Sequence, residues 1–437
     1  MRLALAGLLI ASGSSALAVQ PSAVTHSEGR STVIHAGHLL DRPGRAVRGP
    51  STIIVRDGRI SEIIDGLAPP PVGARLIDLS AAYVLPGLID THVHLETDAG
   101  GVAALVEDVS DNAPAKTLRA LANARKTIKA GFTTVRNLGD GSGATLAIRD
   151  AAARGELVSP RIVDAGRAIS TTSGHMDSTL SLAEDLHAGI IQDNLCDGAD
   201  ACRRAVRLQV RRGADVIKIA TTGGVNSRIG AGLGAQMFDD EAKAIADTAR
   251  LYGKKVAVHA HGADGINLAL AAGAASIEHG TMLDDESVRL FKRSGAYLVP
   301  TLSTVNGYLE RLAADPNAYS AEVMPKIRWR IGITGKNVEK AYPAGVKIAF
   351  GTDAGVSRHG SNADEFELLV KHGLPPAEAI KAATVNAADL LDLSAEIGTL
   401  EPGKRADVIA VAGDPLQDVT VLKRVAFVMK DGMVVKD

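Results

Sequence analysis

A chain of 437 residues is long enough for one large barrel-type domain with a smaller appendage, or for two or three ordinary domains. Hydrophobic residues at 46% and charged residues at 22% describe a globular chain and exclude wholesale disorder. The formal net charge is -2 and no Lys/Arg cluster is interleaved with aromatics, which argues against nucleic acid or an anionic membrane surface as partner.

The chain opens with Met1-Arg2, an apolar run from Leu3 to Ala11, and small residues ending at Ala18. This pattern predicts a signal peptide over residues 1–18, too short for a membrane span, and an exported protein that is periplasmic or secreted. Residues 32 to 84 read as short strands: Val33–Gly37, Ser51–Arg56 and Ile60–Ile64, with a hairpin turn at Asp57-Gly58. The C-terminus has the same character in Ala406–Val411, Val425–Met429 and Met433–Val435, with a second turn at Asp431-Gly432. Both chain ends are therefore expected to build one small β-sandwich domain, from residues 19–84 and 396–437.

Between them, residues 85–395 alternate strand and helix. Strand candidates after Val84 are Thr133–Val135, Arg161–Ala165, Val216–Ala220, Val256–His259, Ser276–His279, Ala296–Pro300 and Ile348–Gly351. Helical stretches such as Lys116–Ala130, Ala144–Arg154, Asp240–Tyr252, Ala263–Ala272 and Asp285–Ser294 separate several of them. Eight strands in β/α order predict an α/β chain folded as a (β/α)8 TIM-like barrel, with a doubly wound sheet as the other arrangement of the same pattern. Cys196 and Cys202 are the two cysteines, and in an oxidising compartment they suit a local disulfide, free buried thiols being the alternative.

In such a barrel the active site lies at the C-terminal ends of the strands, so polar residues that end apolar runs are the ones to collect. The stretch Val84 to His94 places His92 and His94 one residue apart, and alternation along a strand points both to one side. Lys218, His259, His279 and Asp353 occupy corresponding positions on later strands. Each alone has an ordinary explanation as a polar strand end or a turn residue; their joint occurrence points to a metal site. Lys218 lies in phase with Val216 and Ala220, facing an interior where an unpaired ammonium is costly. It is either paired with a neighbouring carboxylate or carbamylated by CO2 into an anionic ligand.

These residues carry a resemblance. Pro86-Gly87-Leu88-Ile89-Asp90-Thr91-His92-Val93-His94, Lys218, His259, His279 and Gly351-Thr352-Asp353 resemble the signature of the amidohydrolase superfamily with a binuclear metal centre. Ile217-Lys218-Ile219 with Thr222-Gly223-Gly224, His259-Ala260-His261-Gly262 and Ile277-Glu278-His279-Gly280-Thr281 are similar to its imidazolonepropionase-like and Xaa-Pro dipeptidase-like branch, in which carboxypeptidases and ochratoxin-type amide hydrolases occur. The resemblance implies two divalent ions, zinc being preferred, with His92, His94 and Asp353 on one and His259 and His279 on the other. N-carboxylated Lys218 and a hydroxide would bridge them, and Asp353 would move the proton.

It also implies that His175 and His261 contact substrate and stabilise the oxyanion, the alternatives being a loop histidine and a solvated rim histidine. Arg228 is a candidate clamp for a substrate carboxylate or, otherwise, a solvated loop arginine. Gly230-Ala231-Gly232-Leu233-Gly234 does not have the spacing of a nucleotide fingerprint and suits a mobile loop beside the site. Tyr308 and Trp329 either line the pocket or pack helices. The implied function is hydrolysis of the C-terminal amide of dipeptides or N-acyl amino acids, including ochratoxin-type amides, in a symmetric homo-oligomer. Cyclic-amide hydrolysis of the imidazolonepropionase type and a non-catalytic scaffold are the alternatives.

Overall fold

The computed structural model describes residues 31–180, 182–228 and 232–437, so the signal read at residues 1–18 lies outside the described residues. No helix among the described residues is long and apolar enough to cross a membrane.

The N-terminal strands are β1 (Thr32–Leu39), β2 (Ser51–Arg56), β3 (Arg59–Asp65) and β4 (Arg75–Pro86), followed by β5 (Leu88–Val93), β6 (Phe132–Asn137) and β7 (Arg161–Asp164). Next come β8 (Ile217–Ala220), β9 (Val256–Ala260), β10 (Ser276–His279), β11 (Tyr297–Val299) and β12 (Lys347–Ile348). The chain ends with β13 (Val408–Val411), β14 (Phe427–Lys430) and β15 (Met433–Lys436).

Strands from both chain ends are bonded into a single sheet of order β15-β14-β13-β4-β1-β2-β3. The long β4 pairs with β1 across a bulge between Ala36 and His38 and then passes to β13, a join that lets the sheet curl. Ile53 and Val55 thereby share an interior with Phe427 and Met429. The tips of the two Asp-Gly hairpins meet where Gly432 N donates to Ala406 O and Ala406 N to Gly58 O.

Strands β5 to β7 form a parallel three-stranded sheet and β8 to β12 a parallel five-stranded one. Backbone hydrogen bonds join these sheets at two seams. At the first, Thr91 N donates to Phe350 O (2.9 Å) and Asp353 N to His92 O (2.7 Å). At the second, Ile169 N donates to Lys218 O (2.8 Å) and Asp215 N to Asp164 O (2.7 Å). Helices such as Ala199–Arg212, Asp239–Leu251 and Ala263–Ala272 turn apolar faces onto β8 to β10, which are buried on both sides. Cys196 and Cys202 are disulfide-bonded at the start of the first of these helices.

A continuous core spans the join between the sheet and the strand-helix region, through Leu85, Leu88, Phe132, Phe350, Ile409 and Val428. The turn between β4 and β5 requires a glycine, since a Cβ on Gly87 would lie 2.2 Å from Thr133 Oγ1. Arg161 on β7 clasps the small domain from the other side, donating to Asp407 Oδ2 (2.8 Å) and Asp431 Oδ1 (2.6 Å). Burial alone would raise the Asp431 pKa, but Arg161 and Lys430 overcome it and hold the carboxyl at about 2.

That depression is stability present above the unfolded carboxyl value of about 4 and lost as pH falls toward 2. Arg161→Met should cost about 3 kcal/mol by leaving two partly buried carboxylates without their cation. Thermal unfolding should show the difference from the unsubstituted protein at pH 7 and its shrinkage between pH 5 and 2.

Candidate metal centre

Ends of the parallel strands converge on one buried space. His92 Nε2 and His94 Nε2 lie 3.4 and 3.2 Å from Asp353 Oδ1, one at the end of β5 and the other just past it. His259 on β9 and His279 on β10 have ring centroids 4.6 Å apart, and those of His92 and His279 are 5.2 Å apart. Ligand atoms of His92, His279 and Asp353 fall within 4.8 Å of one another, as do those of His259, His261 and His279. His261 thus stands among the second group of donors, where sequence reading placed only His259 and His279.

Each of three imidazoles has its tautomer set by its partner. His92 donates Nδ1–H to Glu278 Oε2 (2.9 Å), and the carboxylate can only accept. Thr301 gives its own proton to Pro300 O, so its hydroxyl accepts Nδ1–H of His279 (2.7 Å). His259 donates Nε2–H to Gly223 O (3.3 Å), which leaves Nδ1 as its free lone pair. Burial pushes His92 down to about 4 and His259, His261 and His279 well below the ordinary histidine value, so all four imidazoles are neutral near pH 7. Burial would raise Asp353, but the surrounding His92, His94 and Lys218 hold it at about 2 as a carboxylate.

Lys218 reaches the same space from β8, 1% exposed, and its Nζ has no hydrogen-bond partner. Burial lowers its pKa to about 8. His279, Thr301 and Asp353 all adopt positive φ, at 70°, 49° and 58°. Such conformations are costly for residues with a Cβ and turn side chains out of the strand's ordinary alternation.

His175 packs at a tilt against His259, with centroids 4.0 Å apart, and hydrogen-bonds Ser227. Its close approach requires Gly224, where a Cβ would lie 2.1 Å from the ring. His261 pairs through Nδ1 with Thr281 Oγ1 (2.7 Å) and presents an edge to Trp329 at 6.2 Å. Tyr308 is buried in the wall of the same cavity, of about 120 Å3.

Arg228 does not reach this cavity. It is exposed and paired with Glu322 Oε2 (3.2 Å), on the wall of an outer cavity of about 480 Å3 that shares His94, Asn226 and Val356 with the inner one. Gly230 and Ala231 of the glycine loop lie outside the described residues, while Leu233 O accepts from Gly262 N (3.2 Å), next to His261.

Three supporting residues escaped sequence reading. Arg136 on β6, 1% exposed, donates to Thr91 O (2.6 Å), Ser276 Oγ (3.2 Å) and Glu278 Oε1 (2.8 Å). Glu278 is fully buried, yet Arg136 and His92 hold its pKa down at about 2 against that burial. Asp90 accepts from Thr352 N (3.1 Å), Thr352 Oγ1 (2.6 Å) and Asn362 Nδ2 (2.8 Å), fixing the turn that carries Asp353. An available signal was a charged residue, Arg136, at an inward position of a strand otherwise made of Phe, Thr, Val and Asn.

The profile of the amidohydrolase family matches residues 83–435. Among curated relatives, ochratoxinase of Aspergillus niger is 33% identical over 429 residues, covering 94% of this chain and 87% of that protein. A solved Xaa-Pro dipeptidase with bound methionine in the active site is 40% identical, with a TM-score of 0.89, over 93% of this chain and 100% of its own. A prolidase complexed with N-methylphosphonate-L-proline is 30% identical, with a TM-score of 0.83, over 93% and 99%.

Glu278→Gln should leave a folded protein whose affinity for added zinc falls about 10- to 100-fold, the usual effect of removing a carboxylate behind a ligating histidine. Titration against a chelating dye measures it, and unchanged affinity would show that His92 is oriented by something else.

Proposed function

The chain belongs to the amidohydrolase family, and from that premise we propose that it hydrolyses the C-terminal amide bond of dipeptides or N-acyl amino acids, with ochratoxin-type amides in the same class. We read its two parallel sheets, bonded at both seams, as a closed (β/α)8 barrel. The observation that carries the reading is the orphaned Lys218 Nζ at the centre of neutral imidazoles and one carboxylate. A bare ammonium there has no partner, whereas its N-carboxylated form supplies an anion to a cation site.

The donor set fits two divalent ions, zinc being preferred for imidazole with carboxylate. His92, His94 and Asp353 would hold one and His259 and His279 the other, with carboxylated Lys218 shared between them. When bound, the two ions would acidify the attacking water and polarise the scissile carbonyl. The lowered pKa of Lys218 supports carboxylation, since the neutral amine adds to CO2 and releases one proton as the C–N bond forms.

Asp353, ionised and touching His92 and His94, is placed to accept the proton of the attacking water. It then delivers that proton to the amide nitrogen as the C–N bond breaks, so that an amine leaves and a carboxylic acid remains. His175 and His261 line the inner cavity and supply N–H groups to the oxyanion. We assign His261 to substrate because it stands beside Trp329 in the wall of the inner cavity, which Arg330 also lines. The inner cavity suits the amino acid released and the larger outer one the acyl group. Export is supported by the pattern at residues 1–18 and by the Cys196–Cys202 disulfide, since such bonds persist in oxidising compartments.

Hydrolysis of a panel of N-acyl amino acids and dipeptides ending in Pro, Arg, Lys and Phe, followed by amine release, tests the reading; no turnover of any member with metal bound would refute it. About two metal ions per chain are expected, with activity lost to a chelator and restored by zinc. Lys218→Ala should abolish turnover and weaken metal retention, and added acetate should partly restore retention.

A further inference from the structure

We propose that Arg330 is the receptor for the substrate's terminal carboxylate, an inference that rests on the reading of this site as a hydrolase of C-terminal amides. Arg330 lies on the helix Met324–Gly332, is 2% exposed, and forms part of the wall of the inner cavity beside His261 and Tyr308. Its guanidinium donates from Nη1 to Thr334 Oγ1 (3.3 Å) and from Nη2 to Thr301 O (3.2 Å). Both acceptors are neutral, both bonds are long, and among the described residues no carboxylate lies within ion-pair distance.

Other enclosed guanidinium groups are matched: buried Arg136 has Glu278, and half-buried Arg161 has Asp407 and Asp431. The two acids nearest in charge to Arg330 are committed elsewhere: Glu365 accepts from Leu302 N (2.9 Å) and Ser303 N (2.6 Å), and Asp353 belongs to the metal donors. A guanidinium carries five N–H donors, so several of those on Arg330 are left without a protein acceptor. A buried cation without counter-charge is unfavourable, and a ligand carboxylate supplies both the charge and the acceptors.

Tyr308 completes the receptor. Its hydroxyl accepts from Asn226 Nδ2 (3.4 Å), leaving its own proton to donate, and it is buried in the same wall. One carboxylate oxygen then faces Arg330 and the other Tyr308, with the amino acid's amide nitrogen toward Asp353. Arg228, already held by Glu322 outside the cavity, has no part in this recognition.

The test compares N-acetyl-L-methionine with its carboxamide as substrates, and L-methionine with L-methioninamide as calorimetric ligands, on the metal-loaded protein. Arg330→Met should raise KM for the acid roughly 10- to 100-fold, with a smaller change in kcat, and weaken L-methionine binding by the same factor. The two carboxamides should respond little, and Arg330→Lys should recover part of the discrimination. Equal losses for acid and carboxamide, or no loss for either, would overturn the assignment. If Arg330→Met does not fold, the acid-to-carboxamide ratio of Arg330→Lys decides in its place. If the unsubstituted protein hydrolyses none of the acids, the hydrolase reading fails, while calorimetry still decides on the carboxylate receptor. Binding of L-methionine that is lost in the variant upholds it, and equal binding of acid and amide refutes it.

Discussion

The buried ion pair between Arg136 and Glu278 is the contact on which the rest of the site depends. Arg136 comes from β6 in the three-stranded sheet and Glu278 from β10 in the five-stranded one, so their meeting adds a buried ionic tie between two sheets also joined at their seams. The same guanidinium holds Thr91 O on β5, and the same carboxylate holds Nδ1 of His92. A single salt bridge therefore decides where His92 stands and which of its nitrogens carries the lone pair. Taking two charges fully out of water is expensive, and the pair is sustained by hydrogen bonds that satisfy both partners, including Ser276 Oγ to Glu278 Oε1. The ionic bond contributes position and tautomer, which a packed hydrocarbon could not.

Around that pair the protein collects groups that are individually uncomfortable. Six imidazoles crowd one region, and burial keeps those of His92, His175, His259, His261 and His279 neutral. Positive φ at His279, Thr301 and Asp353 stores backbone strain at three neighbouring strand ends. An unpartnered lysine and an arginine without a carboxylate complete the set. Under the proposed function these departures have one common reading: each would be relieved by something that binds, a cation among the imidazoles, CO2 on the lysine and an anion at the arginine. Charge mismatch in a rigid cavity is a specification of the ligand set.

Rigidity comes from the way the chain ends close on the barrel-like region. The curled seven-stranded sheet shares apolar core with β5 and β6 through Leu85, Leu88 and Phe132. Arg161 fastens Asp407 and Asp431 on the opposite flank. Both attachments lie near the starts of the parallel strands, while the chemistry lies at their ends. Stability and ligand recognition are thereby assigned to opposite ends of the same strands, an arrangement that leaves the loops after the strands to shape the inner and outer cavities.

The alternation of apolar and polar residues determined the strand-helix order by itself, because burial on both faces leaves continuous apolar runs that only strand ends interrupt. It also picked out His92, His94, Lys218, His259, His279 and Asp353, since a polar residue ending such a run is visible one position at a time. Other features needed the tertiary structure. Period-two reading puts Glu278 and His279 on opposite faces, and only the positive φ at His279 brings both into one network. Arg136 and Arg330 declare themselves through what surrounds them, one matched by a carboxylate from a distant strand and the other without one. Arg228 looked equally suitable as a carboxylate ligand until the fold placed Glu322 against it. Sequence reports which side chains exist at which phase of an element. Whether a charge is satisfied depends on distances between elements, and folding alone sets those.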